Sequence, residues 1–326
     1  MYAARQRSLW ATGLAGVLLH LGPQPLFTAT AHAAPKPDTT VNELFMYGID
    51  ADTFELLRYE MATDTFVSVG VVVDQNNYIV KDVEALAYVP AGPYKGFYGM
   101  TNYHDTKPTK MVMINALDAT AWEYPDPVGF WKVVGLVAYE DPGTGEWSLL
   151  GTTKNTNQAD LAAKLIEVDL ETGVATQIMD LGIMMMAGLA IDARGKLYGV
   201  DRGLNLAGEV PSGTQSDLYE IDPWASPQTL KHLGPLPWNK VEALEFAIGD
   251  FKAKIDASAI PGVNVSWTTH GALLGFSDAF DMLMIIDPKN GDAVPYPGTF
   301  NTVDCEGLVF VTMRTDPLYG ALRGFD

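Results

Sequence analysis

The chain has 326 residues, of which 48% are hydrophobic and one is cysteine, and its 40 acidic residues outnumber 21 basic ones. A chain of this length can bury a large core, and a single cysteine excludes an intrachain disulfide. The formal charge of −19 argues against nucleic acid or an anionic lipid surface as a partner, because both would repel an acidic protein.

The first 34 residues have the features of an export signal. Arg5 and Arg7 precede an apolar run at 9–22, and the small residues AHAA at 31–34 provide a cleavage site. The apolar run is short for a membrane span, and no later segment is long and apolar enough for one. We expect a signal peptide at 1–34, a linker at 35–42 and a periplasmic or extracellular mature protein. An uncleaved N-terminal anchor is the alternative.

From residue 43 onward, short strand patterns recur in a fixed order. Each unit opens with an apolar strand led by glutamate or glycine, such as VEALAYV at 83–89. A strand with leucine or an aromatic residue before glycine follows, as in KLYGVDR at 196–202. The third strand alternates and ends in an acid and a turn, as in KLIEVDLETG at 164–173. A fourth short strand completes the unit, and the spacing between units is about 46 to 52 residues.

Four antiparallel strands per repeat of this length describe the blade of a β-propeller. We predict an all-β, single-domain propeller over 43–326 with five blades, six being the alternative. A β-sandwich is the main rival, but it has no reason to repeat one unit five times. One longer interval contains 247–270, which we interpret as an inserted loop or small helix.

The order of the strands also predicts how the ring closes. The strand at 43–50, ELFMYGID, matches the second strand of a unit, so the innermost strand at 305–311, CEGLVFV, should pair beside it. The stretch PLYGALR at 317–323 is then a surplus strand. It either adds to an edge or belongs to a sixth blade.

Two stretches carry a family resemblance that covers nearly all of 43–323. EGLVF followed by PLYG, and AGLAIDARGKLYGVD followed by SDLYEID, resemble the blades of secreted bacterial propellers of the NHL, YVTN and gluconolactonase-like group. In gluconolactonase-like and phytase-like propellers, a glutamate that starts an innermost strand binds a divalent metal in the channel. The resemblance implies that role for Glu306, and by repeat for Glu84 and Glu242. The rest of either group's catalytic set has no match in this chain.

The three glutamates also suggest a metal on chemical grounds. Carboxylates converging on a propeller axis repel one another unless they are protonated or bridged by a cation, and Ca²⁺ prefers oxygen ligands. Three further oxygen donors follow the second strands: Asn102, Asp201 and Asp278. The alternative is that each glutamate caps backbone N–H groups between blades. No organic cofactor is implied.

The loops on one face of the predicted ring contain further candidates. His104 beside Asp105 is an acid–base candidate, although lone loop histidines are usually surface residues. Four aromatic residues on this face are candidates for stacking on a ligand: Tyr103, Trp238, Phe276 and Phe280. The default site is therefore a pocket on this face over the channel.

These features favour an exported, non-enzymatic propeller that binds a protein or a small molecule on its loop face, with Ca²⁺ at the channel mouth. A metal-dependent hydrolase of lactonase or phosphoesterase type is the second interpretation. A surface or assembly scaffold, pairing through 317–323, is the third.

Overall fold

The computed structural model describes residues 42–102, 108–154, 162–203, 214–258, 260–263, 267, 271–297 and 305–314. The export signal at 1–34 and the surplus strand at 317–323 lie outside these ranges. Within them, no helix is long and apolar enough to cross a membrane.

The chain forms five antiparallel sheets, which we number as blades 1 to 5. The strands of each blade, from innermost to outermost, are as follows. Blade 1 contains β21 (Cys305–Arg314), β1 (Asn42–Asp50), β2 (Glu55–Glu60) and β3 (Thr65–Val71). Blade 2 contains β5 (Val83–Val89), β6 (Gly96–Thr101), β7 (Lys110–Ile114) and β8 (Thr120–Glu123), with the short β4 (Val73–Asp74) parallel to β8. Blade 3 contains β9 (Val133–Glu140), β10 (Trp147–Thr153), β11 (Lys164–Val168) and β12 (Ala175–Asp180).

The last two blades follow the same plan. Blade 4 contains β13 (Met186–Ile191), β14 (Leu197–Asp201), β15 (Asp217–Asp222) and β16 (Thr229–Pro235). Blade 5 contains β17 (Val241–Ala247), β18 (Ala272–Ser277), β19 (Met282–Ile286) and β20 (Ala293–Pro295). The innermost strands contact one another in the closed order β21, β5, β9, β13, β17 and back to β21. The protein is a five-bladed β-propeller, which confirms the predicted fold and blade count.

The ring closes within blade 1, between the two ends of the described chain. Strand β1 pairs with β21 in register from Asn42 opposite Arg314 to Gly48 opposite Leu308, and β21 precedes β1 in the blade as the sequence predicts. Cys305, at the start of β21, is fully buried. A Cβ atom on Gly48 would lie 2.4 Å from the sulfur of Cys305, so the absent side chain leaves room for the thiol.

Each innermost strand begins with a β-bulge. In blade 2, Val83 pairs with Thr101 and Ala85 with Met100, so Glu84 is the extra residue that the bulge inserts. A bulge re-aims the side chain of its extra residue. The equivalent residues, which we call the bulge ring, are Glu84, Val134, Ala187, Glu242 and Glu306.

Glycines let the innermost strands approach one another closely beside these bulges. Gly307 has φ +89°, a left-handed conformation that suits glycine, and its Cβ would lie 3.0 Å from the backbone nitrogen of Leu86 in blade 2. Gly188 is not in the left-handed region, but a Cβ atom added to it would lie 2.8 Å from the backbone nitrogen of Leu244 in blade 5. Larger residues at either position would push neighbouring blades apart.

The insertion at 247–270 contains one α-helix, α1 (Gly249–Ala257), between β17 and β18 of blade 5. Phe251 and Ile255 bury its inner face in a cluster that includes residues of blades 1 and 5. Lys254 donates to the backbone oxygen of Met61 at 2.9 Å and forms an ion pair with Asp64, both in blade 1. The helix therefore ties blade 5 to blade 1.

Acids at the ends of third strands serve the turns that follow. Asp169 accepts backbone N–H bonds from Glu171 and Thr172 at 3.0 and 2.8 Å. Asp222 accepts equivalent bonds in blade 4, and Asp287 accepts one from Lys289 in blade 5. These aspartates hold tight turns, as the sequence pattern predicts.

Candidate functional site

A small cavity lies where the bulge ring meets the channel mouth. It has a volume of about 130 Å³. All five bulge-ring residues line it, so the three predicted glutamates do converge on one site. The remaining lining residues are Lys132, Lys154, Met185 and Arg202. We call this cavity the cup.

Five leucines lie beneath the cup. Each one follows its bulge residue by two positions, and each is at most 5% exposed. They line the narrow space between the innermost strands, which has a volume of only about 10 Å³. This leucine ring is Leu86, Leu136, Leu189, Leu244 and Leu308. The charged cup therefore has an apolar floor, which strengthens electrostatic interactions above it.

A second repeated position also serves the cup. It lies three residues after the glycine of the second strand in blades 2 to 5. The residues there are Asn102, Lys154, Arg202 and Asp278. Lys154 and Arg202 line the cup directly. Asn102 and Asp278 each contact a residue that does.

Asn102 fixes Glu84 and joins blade 2 to blade 3. Its side-chain nitrogen donates to Glu84 Oε2 at 2.8 Å and to the backbone oxygen of Val133 at 3.0 Å. Its side-chain oxygen accepts from the Val133 N–H at 3.1 Å and from the Thr109 hydroxyl at 2.7 Å. Asn102 is 1% exposed, and its bonds to Val133 and Thr109 are buried, while its bond to Glu84 is partly buried.

The cup perturbs two of its titratable groups in opposite ways. Burial raises the pKa of Glu84 above its usual value, although the Asn102 hydrogen bond and the charges of Lys132 and Lys154 oppose the change. Burial also lowers the pKa of Lys132, and the charge of Lys154 lowers it further, while Glu84 and Glu306 act against this. These groups therefore interact electrostatically within one cavity.

Arg202 forms the other strong contact in the cup. Its guanidinium is ion-paired with Glu242 and lies 3.7 Å from Asp278, which also pairs with Lys240 at 2.8 Å. Glu242 is only 5% exposed. Its negative charge is therefore neutralised by a basic residue of the neighbouring blade.

Two of the other predicted metal ligands have protein partners in the structure. Asp278 binds Arg202 and Lys240, while Asp201 accepts the N–H groups of Gly203 and Asp217 at 3.0 and 2.8 Å. Asp201 also accepts the hydroxyl of Tyr219 at 3.2 Å. Among the described residues, no group of three or more His, Cys, Asp or Glu could hold a metal ion. Three basic residues, Lys132, Lys154 and Arg202, line the cup together with the three glutamates. The calcium site stays a prediction.

The aromatic residues predicted for the ligand face have different environments. Phe276 is fully buried, like every residue of β18, in a core cluster of blades 1 and 5, so it is not exposed on the face. Trp238 packs partly buried beside blade 5, and Phe280 is 56% exposed. Tyr103, His104 and Asp105 lie outside the described residues. Trp131 was not predicted, but it precedes Lys132 and is 48% exposed.

No known protein family matches the sequence, and no curated protein matches it significantly. Several solved structures are similar to this chain at low sequence identity and with TM-scores below 0.5. A chain of a nidogen–laminin complex is 11% identical, with 83% of this chain and 100% of that one covered and a TM-score of 0.46. An α-L-arabinanase from Penicillium chrysogenum, complexed with arabinobiose, is 14% identical over 76% of this chain and 74% of its own, with a TM-score of 0.46.

A third solved structure gives a similar result. An α-L-arabinofuranosidase from Fusarium graminearum, in complex with an iminosugar inhibitor, is 11% identical over 76% of this chain and 74% of its own, with a TM-score of 0.44. At such identities the likeness concerns the fold alone. What these proteins bind or act on is therefore not transferred to this chain.

Proposed function

We propose that the protein is an exported binding module that takes a small polar ligand into the cup. One observation supports this proposal above the others: every blade contributes at least one charged side chain to the same cavity. Glu306 comes from blade 1 and Glu84 from blade 2, while Lys154, Arg202 and Glu242 come from blades 3, 4 and 5. Stability alone does not require charged groups to be gathered on an apolar floor, because burying charge costs free energy.

The cup offers a ligand both hydrogen-bond donors and acceptors. Ammonium and guanidinium groups donate only, and ionised carboxylates accept only. Lys154 lines the cup, so a ligand in the cup can reach its ammonium group. A protein partner on the loop face is the wider form of the same proposal, with Trp131 and Phe280 exposed there.

Thermal unfolding with a panel of small probes tests the proposal. The panel contains acetate, ethylammonium, glycine, glycerol and Ca²⁺, each at millimolar concentration. A ligand that binds only the folded state raises the free energy of unfolding, by about 2.7 kcal/mol at 100 times its Kd. We expect at least one organic probe to raise the Tm. Lys154→Met should remove most of that rise.

The matched control is Lys289→Met, which removes an exposed lysine from a turn of blade 5. This variant should respond to the probes as the unchanged protein does. The proposal fails if no organic probe raises the Tm, or if Lys154→Met responds fully. A rise with Ca²⁺ alone would instead support the predicted calcium site.

The two alternative functions stay predictions. A metal-dependent hydrolase needs a metal with an open coordination position and a nearby base. Its base candidates, His104 and Asp105, lie outside the described residues. The scaffold interpretation depends on 317–323, which also lies outside them.

A further inference from the structure

A second cavity, which we call the seam cavity, lies further along β21 than the cup. Its volume is about 180 Å³, and β1, β2, α1 and β21 all contribute to it. Among the described residues, none lines both cavities. Most side chains around the seam cavity are apolar or aromatic, and these include Leu44, Phe45, Met46, Tyr59, Phe251 and Phe310. It is therefore a separate site of a different chemical kind.

Aromatic rings form one wall of the seam cavity. The ring of Phe251 in α1 packs edge-on against Tyr59 and Phe310, at centroid distances of 5.3 and 5.5 Å. All three side chains are at most 5% exposed. Glu60, a charged residue of the lining, already accepts a hydrogen bond from Arg58 Nε at 2.9 Å. The cavity therefore suits an aromatic ring, since a cavity of about 150 Å³ lined by Leu, Ile and Phe binds benzene.

The chain leaves blade 1 next to the seam cavity. Strand β21 ends at Arg314, which pairs with Asn42, and Leu44 of the cavity is two residues further along β1. At the rise of a β-strand, Leu44 lies about 7 Å from that end of the sheet. Tyr319 follows Arg314 by five residues. An extended chain of that length spans roughly 17 Å, so the segment after β21 can reach the cavity.

We propose that the segment 317–323 of the same chain covers the seam cavity and inserts the ring of Tyr319 into it. Tyr319 is the one aromatic residue of this segment, and Leu318 and Leu322 add apolar surface around it. Aromatic rings favour the edge-to-face contacts that the wall of the cavity offers. A short tether also gives the segment an effective concentration of about millimolar, so it outcompetes the same segment of a second copy. This proposal does not depend on the cup.

Thermal unfolding of the full chain with p-cresol, which is the tyrosine side chain as a free molecule, tests the proposal. Tyr319→Ala removes the ring and leaves room for the probe. We expect millimolar p-cresol to raise the Tm of this variant but not that of the unchanged protein, because a ligand stabilises the folded state only where it can bind. Tyr78→Ala is the matched control, since Tyr78 is 72% exposed before β5 of blade 2. It should respond as the unchanged protein does.

Disulfide trapping tests the contact itself. Ala62 lines the seam cavity and is exposed, so Ala62→Cys combined with Gly320→Cys leaves Tyr319 in place. A disulfide forms only where the two Cα atoms come within about 7 Å. After mild oxidation we expect a disulfide within one chain, identified as a monomer on a non-reducing gel and by mass spectrometry of the joined peptides. The control pair, Asn76→Cys with Gly320→Cys, uses an exposed turn of blade 2 and should form far less.

Several outcomes would overturn the proposal. If p-cresol raises the Tm of the unchanged protein as much as that of Tyr319→Ala, the seam cavity is open to an outside ligand. If p-cresol affects neither protein, the ring of Tyr319 does not occupy this cavity. If the Ala62 pair forms no more intrachain disulfide than the control pair, the segment does not cover it. A disulfide between two chains would show that 317–323 serves a second copy, as the scaffold interpretation expects.

Discussion

Asn102 is the residue on which the geometry of the cup depends most directly. Its four hydrogen bonds join Glu84, Thr109 and the backbone of Val133, and the three bonds to Thr109 and Val133 are buried. Asn102→Ala would leave the Val133 N–H and other polar groups buried without partners. Each such group costs about 1–3 kcal/mol, so we expect the free energy of unfolding to fall by roughly 2–4 kcal/mol, measured by urea denaturation.

Asn290→Ala is the control for this prediction. Asn290 is exposed and its side chain bonds only Asp292, two residues away. We expect a loss below about 1 kcal/mol. Similar losses in the two variants would show that Asn102 does not hold blades 2 and 3 together.

Individual residues also mark the limit of prediction from sequence. Asp201 and Arg202 are adjacent, and the sequence pattern predicted the acid as a metal ligand. In the structure Arg202 lines the cup, while Asp201 binds the backbone of Gly203 and Asp217. Neighbouring residues of a strand point to opposite sides. Arg202 and Lys154 could have been identified from the sequence, because each lies three residues after the glycine of its second strand.

At the scale of strands, the repeat pattern predicted the strands well but not their bulges. A bulge is a shift in pairing register between two strands, so the residue pattern of a single strand does not predict where it occurs. The sequence identified Glu84, Glu242 and Glu306 through their shared Glu-x-Leu spacing, and the bulge explains why they converge. Val134 and Ala187 occupy the same bulge position but are not charged. The charged residues that blades 3 and 4 contribute to the cup, Lys154 and Arg202, were therefore not predicted.

Strand β17 contains an acid that joins two blades at the closure. Glu245 accepts the backbone N–H of Phe246 at 2.8 Å and also a backbone bond from Phe310 of β21. Burial raises the pKa of its carboxyl to about 8. Because the folded state then binds this proton more tightly than the unfolded chain, Glu245 reduces stability as pH rises from about 4.5 to 8.

Glu245→Gln should remove this loss, since glutamine accepts the same hydrogen bonds without titrating. We compare the free energy of unfolding of the variant with that of the unchanged protein at each pH. We expect this difference to favour the variant by roughly 1–4 kcal/mol more at pH 9 than at pH 5. Urea denaturation at both pH values measures the difference. Glu171→Gln, at an exposed turn of blade 3, is the control. An equal effect at both pH values would contradict the assignment.

At the scale of the whole molecule, the closing strand determines whether the ring exists. The sequence predicted this strand because the described chain begins with a second strand and the pattern of a first strand recurs at 305–311. Strand β21 also contains the only cysteine of the chain, fully buried beside Gly48. Reaction of Cys305 with a thiol reagent therefore reports on opening of blade 1.

We expect this reaction to be slow in native buffer. Opening β21 breaks the ring, so the free energy derived from Cys305 protection should equal that of global unfolding. For a domain of marginal stability, about 5–15 kcal/mol, this means a slowing of at least about a thousandfold. Protein in concentrated guanidinium chloride gives the unprotected rate. If the free energy derived from Cys305 protection is far below the free energy of global unfolding, β21 detaches while the rest of the protein stays folded.

Glu306 places one side of the proposed binding site on β21, the strand that closes the ring. Occupancy and closure are therefore linked: any ligand that needs Glu306 in place must leave before β21 can detach, and it makes detachment less frequent in proportion to its saturation. Proteases cut chains that have opened, so loaded molecules would outlast empty ones wherever proteases are present. Persistence of the protein would then follow the supply of its ligand.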